Sequence, residues 1–144
     1  MKPLENPTLK LVSAWLRKAD SDMKLAEHLF SEGADFPNAI ALHSQQTAEK
    51  YLKAFLTYHQ KAFPKTHDLD VLLDLIETID PNLALSLRDV IILTPYGVEL
   101  RYPGDYPEPT TGMAEEAVEL ARKVKNAILK SSSLSALLGQ PGDY

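Results

Sequence analysis

One predicted helix concentrates the side chains that could do chemistry. Its polar face carries an imidazole, an amide and two ammonium groups at helical spacing: His43, Gln46, Lys50 and Lys53. Residues three or four apart on a helix are neighbours on its surface, so these groups fall in one row. Lysine supplies point charges for phosphate, while histidine and glutamine can hydrogen-bond to a base or sugar edge. The row therefore predicts a face that binds an anionic ligand.

Two later segments add candidates for the same site. The segment Lys65-Thr-His-Asp-Leu69 places His67 just before a predicted helix, and Arg101 and Tyr102 fall in a long proline-rich loop. An arginine offers a bidentate fork for a phosphate, and a tyrosine offers a ring on which a base can stack. Long loops in small domains are often functional. These residues extend the predicted binding site beyond a single helix.

Each candidate also has an ordinary structural explanation. Charged faces of helices are commonly just solvated surface. Arg101 could pair with Glu99 or Asp105 and so fix its loop. Glu49 could order Lys53 through an intrahelical ion pair, or it could act as a base. The residue types alone leave these alternatives open.

Composition excludes several classes of function. There is no cysteine, which excludes disulfides, thiolate metal sites and cysteine nucleophiles. The net charge of −5 argues against binding to duplex DNA, but residues 36–70 carry +1, which suits a small anion or a short single strand. No glycine-rich phosphate loop, serine elbow or helical histidine pair is present, so no cofactor and no metal are predicted. No apolar run could span a membrane and the N-terminus is not a secretory signal, so a cytoplasmic protein is expected.

Apolar periodicity predicts one all-α domain over residues 1–130, followed by a C-terminal tail over residues 131–144. The domain is expected to be an up-and-down bundle of about five helices. The predicted helix starts are Asn6-Pro7, Pro37, Thr66, Asp80-Pro81, and Thr110 or Thr111. The residues predicted to face the core are Val12, Trp15, Leu16, Ala19, Met23, Ala26 and Phe30, then Ala41, Ala48, Leu52, Phe55 and Leu56, then Leu69, Leu72, Leu73 and Ile76, then Leu83, Leu87, Val90, Ile91 and Thr94, and finally Ala117, Leu120, Ala121, Val124 and Ile128.

Four polar side chains carry specific expectations. Gln45 falls on the apolar side of its helix and is expected to hydrogen-bond to a neighbouring helix. Tyr51 and Tyr58 border the core and are expected to turn their hydroxyls outward. Asp22 is grouped with the solvated charges of the first helix, with capping or pairing inside the bundle as the alternative.

Three segments, in order along the chain, resemble the HEPN family. They are His43-Ser-Gln-Gln-Thr-Ala-Glu-Lys-Tyr-Leu-Lys-Ala-Phe-Leu56, Lys65-Thr-His-Asp-Leu69 and Arg101-Tyr-Pro103, preceded by Trp15-Leu-Arg-Lys-Ala19. The resemblance covers roughly residues 9–129 and implies an α-helical bundle that pairs as a homodimer. Family members that are ribonucleases, often toxins, use an arginine with a histidine a few residues after it. No histidine follows Arg101 here.

The chain is more similar to family members that bind nucleotides and are often encoded beside a minimal nucleotidyltransferase. This resemblance implies non-catalytic binding of a nucleotide or RNA-like anion at a homodimer cleft. It also implies a minimal nucleotidyltransferase as partner in a toxin–antitoxin-type pair. The contacts carried over are His43, Gln46, Lys50, Lys53, His67, Arg101 and Tyr102. A divergent ribonuclease that acts on RNA and a pure protein-interaction module are the alternatives.

Overall fold

The structure is a computed structural model that describes residues 6–33, 35–97, 108–131 and 134. The described residues form five α-helices and one 3-10 helix, and they contain no strand. The predicted all-α class is therefore confirmed. The helices are α1 (Asn6–Ser31), α2 (Pro37–Tyr58), α3 (Leu69–Glu77), α4 (Pro81–Ser86), the 3-10 helix (Arg88–Gly97) and α5 (Thr111–Lys130). None of these helices is both long enough and apolar enough to cross a membrane.

Helix α2 lies at the centre of the fold. It contacts α1, α3, α5 and the 3-10 helix, and its most extensive interface is with α1. Helices α1 and α2 run antiparallel, because Asp22 pairs with His43 whereas Trp15, earlier in α1, lies against Lys53, later in α2. Central packing of this kind buries most sides of a helix rather than a single stripe.

Helix α5 completes the bundle against α1 and α2. Glu27 pairs with Arg122 and Asp20 pairs with Lys125, so α5 runs antiparallel to α1. The end of α1 nearest its N-terminus, the end of α2 nearest its C-terminus and the loop of residues 59–68 therefore lie at one end of the molecule.

Most of the predicted core is confirmed. Residues that are fully buried or nearly so include Val12, Leu16, Ala19, Met23, Ala26, Ala41, Ala48, Leu52, Phe55, Leu56, Leu69, Leu72, Leu73, Ile76, Leu87, Val90, Ala117, Ala121, Val124 and Ile128. Trp15, Phe30, Leu83 and Leu120 are partly buried against them. Leu134, in the segment predicted as a tail, is also fully buried in the main core.

Short polar side chains set the starts of α3, α4 and α5, whereas the N-cap of α2 is Phe36, whose side chain makes no capping hydrogen bond. Asp80 accepts a hydrogen bond from the backbone N–H of Leu83, and Thr110 accepts one from Met113, so both predicted caps are confirmed. The cap of α3 is Asp68 rather than Thr66, and its carboxylate accepts from the backbone N–H of Asp70. The Thr66 hydroxyl instead accepts from the N–H of Asp68, one step before the helix.

The predicted fourth helix is wrong in its second half. Helix α4 ends at Ser86, and the chain continues as a 3-10 helix from Arg88. Leu87, Val90 and Leu93 are fully buried, and their spacing of three matches the three residues per turn of a 3-10 helix. Ile91 was predicted to face inward but is 38% exposed, because the tighter helix turns it away from the core.

Candidate functional site

Helix α2 is more deeply buried than its sequence pattern indicates. Glu49 and Lys53 were predicted on an outward polar face, yet both are buried. The prediction that one exposed row runs along the back of α2 is therefore wrong at Glu49 and Lys53. The polar residues of α2 instead divide into two hydrogen-bonded groups, named here the Asp22 cluster and the Glu49 cluster.

The Asp22 cluster joins α1 to the middle of α2. It consists of Asp22, His43 and Lys50, with Gln46 at its edge. Asp22 Oδ1 lies 2.9 Å from His43 Nδ1, and Asp22 Oδ2 accepts a hydrogen bond of 2.5 Å from Lys50 Nζ. Gln46 Oε1 lies 3.5 Å from the same ammonium. Three of the predicted ligand contacts thus meet, but the charge of Lys50 is already balanced by Asp22.

Asp22 is the member of this cluster that was expected on the solvated surface, with pairing inside the bundle only as the alternative. Its carboxylate is almost fully buried between two helices, not solvated as expected. It lies 21 residues from His43 and 28 from Lys50, so helical spacing within one segment cannot reveal the contact. The available signal was its place on α1 close to the core residues Ala19 and Met23.

The Glu49 cluster lies near the C-terminal end of α2 and consists of Gln45, Glu49, Lys53 and His67. Glu49 Oε2 accepts a hydrogen bond of 3.0 Å from Lys53 Nζ, which confirms the predicted intrahelical pair. Glu49 Oε1 lies 2.7 Å from His67 Nδ1 and 3.3 Å from the Gln45 amide nitrogen. One buried carboxylate therefore binds an ammonium, an imidazole and an amide at once.

Lys53 is enclosed by aromatic rings as well as by its carboxylate. Its Nζ lies 5.4 Å from the ring centroid of Trp15 and 5.9 Å from that of Phe63. The two rings contact each other with centroids 6.3 Å apart. A cation close to an aromatic face is attracted by the negative centre of the ring. Lys53 therefore has two kinds of partner where it is buried, and it cannot present its charge to solvent.

His67 is the exposed end of the Glu49 cluster. Its side chain is 75% exposed, whereas the Glu49 side chain that binds its Nδ1 is 6% exposed. A carboxylate only accepts hydrogen bonds, so Nδ1 carries the proton in this pair. The side chain that carries the other ring nitrogen, Nε2, is thus open to solvent over most of its surface. The cluster brings an exposed imidazole to the surface.

Gln45 ties the cluster to the neighbouring segments. Its amide nitrogen donates to the backbone carbonyl of His67 at 3.1 Å, which confirms a structural hydrogen bond but places it just before α3 rather than within a helix. Gly97 packs so closely on the Gln45 amide that a Cβ there would lie 2.6 Å from Gln45 Cδ. The Gln45 side chain therefore packs against the end of the 3-10 helix and is hydrogen-bonded to the His67 segment.

Two lysines near His67 carry unbalanced charge. Lys61 and Lys65 lie on the loop between α2 and α3, and neither forms an ion pair within the part of the chain that the structure describes. Asp68, the nearest acid in sequence, is engaged in capping α3. Asp70 pairs with Arg88 at 2.7 Å. The loop therefore has a local excess of positive charge beside the exposed imidazole.

Arg101 and Tyr102 lie outside the described residues. Among the described residues, no three histidine, aspartate or glutamate side chains are grouped so that they could hold a metal ion.

Burial and charge shift several pKa values around the bundle. Burial raises the pKa of Tyr51, and the charges of Asp20 and Glu27 raise it further. Tyr51 is fully buried with no hydrogen-bond partner for its hydroxyl among the described residues, so the expectation that this hydroxyl turns outward is wrong. Burial lowers the pKa of His59, which stacks on Phe55 with ring centroids 4.4 Å apart.

Another shifted group is Asp20. Burial alone would raise the pKa of this carboxyl, but hydrogen bonds from Lys24 and Lys125, together with their charges, outweigh it and lower the pKa. The distances are 2.9 Å to Lys24 and 3.2 Å to Lys125. Asp20 therefore helps to hold α5 on α1, away from both clusters.

Comparison with known proteins identifies the family of the chain. No curated protein and no solved structure gives a significant match. The HEPN domain model matches residues 12–132, which include all five α-helices except the first turns of α1, and both clusters. The match spans most of the 144 residues. The chain therefore belongs to the HEPN domain family.

Proposed function

We propose that this HEPN domain binds a nucleotide or a short RNA-like anion without breaking a bond in it, at the surface where His67 meets the loop between α2 and α3. Family membership suggests a nucleotide- or RNA-related role. The observation that carries the proposal is the combination of an imidazole held by a buried carboxylate and two lysines, Lys61 and Lys65, without ion-pair partners in the described residues.

The roles of the predicted contacts differ in this proposal. His67 contacts the anion directly, and Lys61 and Lys65 attract it. Lys53 supports His67 through Glu49, because its own side chain is 8% exposed and its charge is balanced. His43, Gln46 and Lys50 form a second polar surface on the same helix, where the half-exposed His43 and Gln46 can contact a longer ligand. Arg101 and Tyr102 are proposed as further contacts with the ligand.

Thermal denaturation with a panel of nucleotides and a short oligoribonucleotide tests the proposal. A ligand at tenfold excess over its Kd stabilises the native state by about 1.4 kcal/mol, which raises the Tm of a domain of this size by about 5 °C. The Lys61→Ala, Lys65→Ala double variant should lose this rise. The control is Lys123→Ala, which removes a lysine whose charge is already balanced by Asp89.

The outcomes separate the alternatives. No shift with any nucleotide or oligonucleotide contradicts the proposal. Cleavage of the oligoribonucleotide that disappears in His67→Gln would replace it with the divergent ribonuclease. Unchanged binding in the Lys61→Ala, Lys65→Ala variant would move the site elsewhere on the chain.

The proposal includes the assembly of the protein. HEPN domains often dimerise, and we place the ligand at a homodimer cleft, with a minimal nucleotidyltransferase as the partner in a toxin–antitoxin-type pair. Sedimentation of the purified protein tests the dimer. Co-purification with a nucleotidyltransferase encoded by an adjacent gene, followed by measurement of the mass of the complex, tests the partner. A complex that forms while no nucleotide binds would favour the pure interaction module.

A further inference from the structure

We infer that His67 is a phosphoryl-acceptor site: its Nε2 takes a phosphoryl group from a small, reactive phosphoryl donor, and Glu49 is the positioning residue. This covalent modification is separate from reversible binding of a nucleotide, although both use the same exposed imidazole. The donor class is one with a labile bond to phosphorus, such as a phosphoramidate or an acyl phosphate.

The first support is the orientation of the imidazole. Glu49 Oε1 holds His67 Nδ1 at 2.7 Å, so the proton of the neutral ring resides on Nδ1 and the lone pair on Nε2. Glu49 cannot easily turn away, because Lys53 at 3.0 Å and Gln45 at 3.3 Å fix its two oxygens. The side chain of His67 is 75% exposed, so a donor can reach it. An adjacent carboxylate is a common means of activating a nucleophilic side chain.

The reaction balances with these groups alone. With the phosphoramidate monoanion as donor, whose nitrogen is protonated as –NH3+, the Nε2 lone pair forms an N–P bond while the P–N bond of the donor breaks. The nitrogen takes the electron pair of the broken bond and leaves as neutral ammonia with its three protons. The ring keeps its Nδ1 proton and becomes positively charged as the new bond forms. The carboxylate of Glu49 stabilises this developing charge, which is the physical reason for its contribution.

The surroundings favour the product as well as the reaction. The attached phosphoryl group brings up to two negative charges to the loop. Lys61 and Lys65 lie on that loop without ion-pair partners in the described residues. Of the two acids that follow His67 in the sequence, Asp68 caps α3 and Asp70 pairs with Arg88.

Two other histidines each lack part of this arrangement. His28 is exposed, but no carboxylate contacts it among the described residues. His43 has a carboxylate, but its side chain is 25% exposed and Asp22 also binds Lys50. His28 is therefore the matched control: an exposed imidazole of the same protein without a carboxylate.

The test is incubation of the full chain with potassium phosphoramidate and no nucleotide. Intact mass and peptide mapping follow the rate at each histidine, and 31P NMR distinguishes phosphorylation at Nε2 from that at Nδ1. We expect His67 to be labelled on Nε2 about tenfold faster than His28. His67→Gln should lose this label, and His28→Gln should keep it.

Glu49→Gln tests the positioning role. The amide can still accept from Nδ1 but carries no charge, so we expect about tenfold slower labelling of His67 and no change at His28 in the same sample. Glu49→Asp should restore part of the rate, which a merely structural effect would not do. If Glu49→Gln does not fold, the His67 to His28 rate ratio and the labelled nitrogen in the native chain still decide the matter.

Equal rates at His28 and His67, or labelling of His67 on Nδ1, would overturn the inference. So would an unchanged rate in a folded Glu49→Gln variant. The experiment contains no nucleotide, so its result is independent of the melting experiment. The absence of a nucleotide-induced Tm shift leaves the modification site standing, and the absence of labelling leaves reversible binding standing.

Discussion

Lys53 and Glu49, one helical turn apart on α2, form an ion pair whose side chains are only 8% and 6% exposed. Burial removes water from both charges, so each depends on the other and on the hydrogen bonds around it. The pair also positions His67, because the same carboxylate binds the imidazole. Its integrity should control both stability and the chemistry at the surface.

Loss of the buried Lys53 charge should lower the free energy of unfolding much more than loss of an exposed lysine charge. Lys53→Met leaves Glu49 buried without its cation, and we expect the free energy of unfolding to fall by about 3 kcal/mol. Lys24→Met is the matched control, since Lys24 pairs with Asp20 at the same spacing but is 76% exposed. We expect it to cost less than about 1 kcal/mol. Urea denaturation measures both, and equal costs would contradict the assignment of a buried pair.

Gly97 should resist even the smallest side chain. A Cβ at this position would lie 2.6 Å from Gln45 Cδ, and Gln45 is tied by hydrogen bonds to Glu49 and His67. We expect Gly97→Ala to lower the free energy of unfolding by about 1–3 kcal/mol. In a Gln45→Ala background the same substitution should cost much less, because the clash is gone. Additive losses in the double variant would contradict the contact.

These two contacts show how far sequence reasoning reaches. The apolar stripe of α2 and the caps at Asp80 and Thr110 follow from local spacing and were predicted correctly. The burial of Lys53 was not, because a charged residue in a helical pattern normally faces water, and only the arrangement of α1 and the Phe63 loop around α2 encloses it. Contacts between segments that are far apart along the chain leave no periodic pattern in the sequence.

The 3-10 helix illustrates a second limit. Leu87, Val90 and Leu93 fit both an α-helical face and a 3-10 helix, since a spacing of three occurs in each. Packing against α2 and α3 decides between them. The two clusters show the same limit: the residues on α2 could be named from the sequence, but the partners of Asp22 on α1 could not.

Tyr51 should tolerate loss of its hydroxyl. This residue is fully buried, and its hydroxyl has no hydrogen-bond partner among the described residues. Burial of a polar group without a partner is unfavourable, so Tyr51→Phe should leave the free energy of unfolding unchanged or raise it by about 1 kcal/mol. Tyr58→Phe, at a half-buried position of the same helix, serves as the control. A clear loss of stability in Tyr51→Phe would indicate that the hydroxyl is bonded.

Asp22 should couple the two residues that it binds. We expect Asp22→Asn to lower the free energy of unfolding by about 1–2 kcal/mol, because His43 and Lys50 lose their shared carboxylate. In that background Lys50→Met should cost less than in the native chain, with a coupling energy of at least about 0.5 kcal/mol. A double-mutant cycle in urea measures this value. Zero coupling would mean that Lys50 does not depend on Asp22.

His59 should make the fold sensitive to mild acid. His59 is exposed as a residue, but partial burial of its ring against Phe55 lowers its pKa in the folded protein below the ordinary value of 6.5, and the smaller opposing effect of the Asp80 charge does not reverse this. As the pH falls below about 6.5, the unfolded chain therefore takes up this proton before the folded protein does. The stabilising contribution of neutral His59 is complete above that pH and is lost below it.

Chemical denaturation at a series of pH values checks this dependence. The free energy of unfolding of the native chain should decline from pH 6.5 downward, and His59→Gln should decline less steeply over the same range. His28→Gln, at a position that is exposed like His59 but lacks its ring contact with Phe55, should behave like the native chain. An identical slope in His59→Gln and the native chain would contradict the prediction.

The position of Trp15 gives the molecule its own spectroscopic probe. It is the single tryptophan of the sequence, and its indole ring lies 5.4 Å from the Lys53 ammonium. The emission of an indole responds to charge and to water in its immediate surroundings. Intrinsic fluorescence therefore reports the state of the Glu49 cluster without any label. Movement of Lys53 when an anion docks on His67, or when His67 is modified, should be visible as a change in the colour and intensity of emitted light.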